Sequence, residues 1–98
     1  MAANFKILIH RNSDSIHLKL VGDFDGSAAR ELINVIKKYS NHFGRIFIHT
    51  SGLKEVLEFG RSMFRSTFTA NFNTANKLIF TGILGAQLAP VGCRTVSV

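Results

Sequence analysis

The sequence has one cysteine, Cys93, one proline, Pro90, one tyrosine, Tyr39, and no tryptophan. A lone thiol cannot form an intramolecular disulfide, which fits a reducing cytoplasm and argues against a small secreted scaffold. A single proline, set beside eight glycines, excludes collagen-like and linker-like chains. Long apolar runs are absent too. The most apolar stretch, residues 78–91, is interrupted by Thr81, Gly82, Gly85, Gln87 and Pro90, so no membrane insertion is expected. The opening residues lack a basic stretch followed by an apolar run, and no signal peptide is read there.

Negative charge is also scarce. Six Asp and Glu face twelve Lys and Arg, for a net charge of +6. Such a balance favours acidic partners or nucleic acid. The basic residues are scattered, however, and the longest run is Lys37-Lys38. On that distribution the sequence argues against nucleic acid as a partner.

What is present is core material. At 98 residues, 46% hydrophobic and 18% charged, the chain has the size and composition of one globular domain spanning residues 1–98. Nine phenylalanines supply its aromatic mass. Phe5, Ile7 and Ile9 alternate with Lys6, Leu8 and His10, which predicts a strand. After the turn cluster at residues 12–15, Ile16, Leu18 and Leu20 alternate with His17, Lys19 and Val21, a hairpin partner for the first strand. Residues 22–27 break the pattern, with Asp25 or Ser27 placed to cap a helix. Ala29, Leu32, Ile33, Ile36 and Ser40 then share one helical face, and Lys37 and Lys38 suit its last turn.

Residues 45–49 form a short apolar run that predicts a strand buried on both faces, followed by a loop at residues 50–52. A second helix is predicted over about 57–72. Gly60, Met63, Phe64, Thr67 and Phe68 face inward, and Arg61, Ser62, Arg65, Ser66 and Thr69 face outward. A strand at 77–81, a short helix at 84–89 and a strand at 94–98 complete the order β-β-α-β-α-β-α-β. Repeated β-α-β steps predict an α/β fold: a mixed, mostly parallel sheet with an antiparallel N-terminal hairpin and helices packed against it.

Chemistry is sparse. His10, His17, His42 and His49 form no metal pair at i, i+4 spacing and are read as exposed or strand-end residues. Cys93 reads as a small hydrophobe. Asp23 and Asp25 have an ordinary explanation as turn and cap residues. The glycines form no phosphate-binding loop, and no cofactor is implied. The expectation is a protein without catalytic residues.

The strand at 16–20, followed by Gly22-Asp23-Phe24-Asp25 and a helix, resembles the opening of STAS domains, the sulfate-transporter and anti-sigma-factor-antagonist modules. Residues 46–53 are similar to that family's central strand and Ser-Gly-apolar turn, with His49 where an Asp is usual. The family's signature is an apolar residue followed by Asp-Ser-Ser-Gly, whose first Ser accepts phosphate. Position by position it falls on Val56, Leu57, Glu58, Phe59 and Gly60. The apolar residue and the Gly are retained. The phosphoacceptor position is Glu58, so a phosphoserine switch is not expected.

A first-turn carboxylate is favoured by the helix dipole, and Glu58 carries one negative charge against about 1.5–2 on a phosphoserine. Glu58 is therefore either a partial, permanent imitation of the phosphorylated state or simply a good first-turn residue. The resemblance implies a non-catalytic, cytoplasmic, bacterial-type regulatory module that works by partner switching. Its protein partner would be an anti-sigma factor or related regulator, bound through Phe59, Arg61, Ser62 and Arg65, and a homodimer is compatible with it. The alternative reading is a small-molecule, nucleotide or anion sensor, with a ligand loop at Asp23, Asp25 and Ser27 near the Gly82–Gly85 turn.

Overall fold

The computed structural model describes residues 4–71 and 75–96. Five strands form one sheet in the order β1-β2-β3-β4-β5. They are β1 (Lys6–Arg11), β2 (Ser15–Phe24), β3 (Arg45–Val56), β4 (Leu78–Thr81) and β5 (Arg94–Val96). The hairpin β1–β2 is antiparallel, and β2, β3, β4 and β5 run parallel. Between them lie α1 (Gly26–Tyr39), α2 (Glu58–Asn71) and the four-residue α3 (Gly85–Leu88). The α/β architecture with an antiparallel N-terminal hairpin is thus as the periodicity predicts.

Each parallel crossover advances one strand in the same direction. Right-handed connections then place all three helices on one face of the sheet. Burial follows this division. Ile16, Leu18, Leu20, Phe24, Ile46, Ile48, Leu78 and Phe80 point toward the helices and are fully buried. The alternate side chains His17, Lys19, Val21, Phe47, His49 and Thr81 are partly or fully exposed. On that second face Ile79, beside Phe47 and Arg94 in register, is the buried one among the described residues.

Asp25 caps α1, its carboxylate accepting the Ala28 amide hydrogen at 2.9 Å. Ala28, Ala29, Leu32, Ile33, Ile36 and Tyr39 bury the helix's inner stripe. Lys37 and Lys38 lie in its last turn, where cations offset the exposed carbonyl ends. In α2, Phe64 and Phe68 are buried, and Phe64 meets Phe24 and Phe80 edge to face with ring centroids 6.0 Å apart. These rings form the centre of the core.

Three expectations are corrected. The run at residues 45–49 is not buried on both faces: Ile46 and Ile48 are buried under the helices, while Phe47 and His49 are partly exposed on the other side. Residues 22–24 do not break β2, which runs on to Phe24. Gly22 permits this by taking φ +101 where a side chain would collide with the Asn4 carbonyl. Residues 50–52 are not a loop either. They continue β3 to Val56, so a strand expected to have five residues has twelve. The register shifts between Lys19 and Val21 and again between Gly22 and Asp23, and each shift absorbs one extra β3 residue as a bulge. A bulge interrupts period-2 alternation and so imitates a loop in sequence.

Phe64→Ala should cost about 3–5 kcal/mol, because it opens a cavity at the ring junction. Phe59→Ser, at a position 67% exposed, should cost far less. Urea unfolding of both variants checks this, and equal losses would show that α2 packs in another phase.

Candidate functional site

The residues singled out at the start of α2 converge at the carboxyl ends of the parallel strands. The backbone leaves β3 at Val56, and the Leu57 amide donates to the Phe24 carbonyl at 3.0 Å, tying this exit to the end of β2. Glu58 opens α2 and is exposed. Gly60 passes so close to the Phe24–Asp25 backbone that a Cβ would lie 2.6 Å from the Phe24 carbonyl oxygen. No larger residue fits there without displacing the α1 cap, which gives a physical reason for glycine at this position.

Phe59 is an exposed aromatic with a fixed seat. The edge of its ring rests against Gly26, the first residue of α1, while most of its surface faces solvent. The exposed ridge of α2 continues from Phe59 to Ser62 and Ser66. Arg61 and Arg65 are half-buried along one flank rather than fully outward. At about 3.6 residues per turn, Arg61 and Arg65 lie roughly 120–160° round the helix from Phe59, on a different side of α2.

The proposed ligand-loop residues are not gathered into one site. Asp23 is part of β2 and accepts a 3.4 Å hydrogen bond from Asn4 Nδ2. Asp25 caps α1, and Ser27 is exposed in the first turn of that helix. None of the three lines the cavity of about 380 Å³ formed by Thr50, Ser51, Leu53, Gly82, Ile83 and Leu84. That cavity adjoins the ends of β3 and β4, and its lining is mainly apolar.

Sequence spacing missed the histidines. His10 pairs with His17 across β1 and β2, and Lys19 pairs with His49 across β2 and β3. His17 Nδ1 lies 2.8 Å from His49 Nε2, and His49 Nδ1 lies 2.7 Å from Thr81 Oγ1. The two imidazole planes are within 4° of parallel, with centroids 5.1 Å apart. That separation is the N···N distance plus one ring radius on each side, so the nitrogens meet head on. The lone-pair axes point at each other and not at a common point, which makes a hydrogen bond and not a chelate. Among the described residues no group of three or more His, Cys, Asp or Glu is placed to hold a metal ion. Cys93 is half-buried, and burial pushes its thiol up to about 11, which suppresses the nucleophilic thiolate. The signal for the histidine pair was the outward phase of both residues, but their pairing depended on strand order.

Burial, with the neighbouring His17 and Lys19 charges, holds His49 below its ordinary value of 6.5. The folded protein therefore binds fewer protons at this site than the unfolded chain. The resulting stability is present above pH 6.5 and is lost as pH falls through that value toward the lowered one. Urea midpoints should decline on acidification across this range, with a shallower decline in His49→Gln and an unchanged one in His42→Gln. The same decline in all three would place the proton uptake elsewhere.

No family model matches the chain, and no curated protein matches it. Solved structures do. The anti-sigma factor antagonist SpoIIAA in its unphosphorylated form is 14% identical with a TM-score of 0.57, over 80% of this chain and 72% of that one. A DUF3478-family protein with a SpoIIAA-like fold from Shewanella loihica is 12% identical with a TM-score of 0.58, over 81% of this chain and 66% of that one. The protein called Mglu is 13% identical with a TM-score of 0.58, over 92% of this chain and 18% of that much longer one. At these identities it is the fold that is shared: a SpoIIAA-like, STAS-type α/β sheet.

Proposed function

We propose that this protein is a non-catalytic regulatory module that binds a protein partner through the start of α2. The observation that carries this reading is Phe59: a large aromatic side chain, 67% exposed and seated on Gly26, with Arg61 and Arg65 half-buried farther round the same helix. Exposing a phenylalanine carries a cost in water, and aromatic and Arg side chains are the usual energetic centres of interfaces. The likeness to an anti-sigma factor antagonist supports a partner of the anti-sigma-factor type. The corresponding contact would not be switched by phosphate at Glu58, which has no hydroxyl. It would be permanent, or set by partner abundance.

The two cations predict an acidic or mixed partner surface. Salt should then slow association more than it speeds dissociation. A Phe59→Ser, Arg65→Glu double variant should fold and lose at least about ten-fold in affinity for the regulator recovered by pull-down. Wild-type affinity in a folded double variant would move the interface elsewhere.

The mainly apolar cavity of about 380 Å³ beside the Gly82–Gly85 turn favours a second reading, a small-molecule sensor. Under that reading, one of a panel of nucleotides at saturating concentration raises Tm through ligand-linked stabilisation. An unchanged Tm across such a panel leaves partner binding as the function.

A further inference from the structure

The face of the sheet opposite the helices carries a second constellation. Arg45, Phe47 and His49 occupy alternate positions of β3 and therefore point to the same side. His17 lies directly across from Phe47 on β2. The His17 and Phe47 rings stack at 4.5 Å with planes 4° apart, and Phe47 and His49 are parallel within 5°. All three rings are partly exposed. A basic residue followed at every second position by two rings, with a third ring on the adjacent strand, is a known arrangement. The RRM sheet stacks the bases of a single strand on rings at such a spacing; here His17 and Phe47 already cover one face of each other, so a base stacks only on a face they leave open. The fold here is different, so the likeness is one of site chemistry and not of descent.

Charge on this face points the same way. Lys6, Lys19, Arg45 and Arg94 are exposed on it, around the rings. Among the described residues its carboxylates are Asp23 and Glu55, paired together at the carboxyl end of the sheet. The basic residues that look scattered in sequence are brought together because period-2 alternation turns every second residue outward. Parallel register then aligns the rows.

We propose that this face binds single-stranded nucleic acid, with the ring faces that Phe47, His17 and His49 leave open as the stacking surface and Lys6, Lys19, Arg45 and Arg94 on the phosphates. Single strands are specified because stacking requires unpaired bases. No described helix or ribbon stands out from this face to enter a duplex groove. A strongly cationic face also disfavours a second copy of itself. The site is independent of Phe59, since α2 packs on the opposite face.

The test is fluorescence anisotropy of the full chain with labelled oligonucleotides of about 12 nucleotides, a length within single-strand site sizes. Single-stranded RNA, single-stranded DNA, duplex DNA of that length and phosphatidylserine vesicles form the panel. A single strand should bind best, and RNA against DNA reports any use of the 2′-hydroxyl. With four phosphates neutralised, affinity should fall roughly 50-fold between about 50 and 200 mM salt. Phe47→Leu, which keeps apolar bulk but removes the ring, should weaken binding at least about five-fold. Arg45→Glu, at an exposed position, should weaken binding and flatten the salt dependence, and it serves if Phe47→Leu fails to fold. The Phe59→Ser, Arg65→Glu double variant should bind the oligonucleotide as wild type does. Absence of single-strand binding at about 50 mM salt overturns the proposal. So does full affinity in a folded Phe47→Leu, equal binding of the duplex, or binding of the vesicles alone.

Discussion

The rest of the structure depends on the sequential order of the strands. Because β2, β3, β4 and β5 are added one after another in parallel, every right-handed crossover falls on the same side. The core is therefore one-sided, built from Ile16, Leu18, Leu20, Ile46, Ile48, Leu78 and Phe80 against the helices. A doubly wound sheet would reverse direction and cover both faces. Here the second face carries cationic and polar side chains interleaved with the exposed Leu8 and Val96 and the partly exposed Phe47. An uncovered face follows from topology before any function is considered.

This constraint also explains what the sequence revealed and what it concealed. Helix α1 was legible because Ala29, Leu32, Ile33 and Ile36 recur at helical spacing behind an Asp25 cap and ahead of Lys37 and Lys38. Helix α2 was legible for the same reason, through Gly60, Phe64 and Phe68. The strand at 45–49 was expected to be buried on both sides, since Ile46, Phe47 and Ile48 are all apolar. In fact Phe47 and His49 lie on the open face. An aromatic facing outward is indistinguishable by hydropathy from one facing a second layer. The bulged continuation of β3 was hidden because its alternation is interrupted where the register shifts.

Of the candidate site, the start of α2 was legible, since position and helical phase together separate exposed Phe59 from buried Gly60 and Phe64. The loop expected at Asp23, Asp25 and Ser27 does not assemble into one site, because Asp23 and Asp25 are neighbours in sequence but belong to a strand and a cap with different orientations. The histidine pair lay beyond reach for the opposite reason. His17 and His49 are 32 positions apart and meet only once β2 and β3 are parallel and in register. Local spacing reports helix faces well, whereas a site assembled across strands is written in strand order.

Strand β3 joins the two surfaces. Its first half places Arg45, Phe47 and His49 on the open face, and its end at Val56 delivers the chain to Glu58 and Phe59 on the far side of the sheet's carboxyl edge. Between them, buried Thr50 donates its hydroxyl to the Thr81 carbonyl at 2.6 Å, while His49 contacts the Thr81 hydroxyl from the open face. The end of β4 is thus held from both sides by consecutive β3 residues. That clamp fixes β3 against β4 just before the cavity at residues 82–84. The two surfaces are therefore mounted on one rigid strand but separated by the thickness of the sheet, and a partner at Phe59 leaves the ring face open to solvent. Simultaneous occupancy of both surfaces is the arrangement this geometry permits.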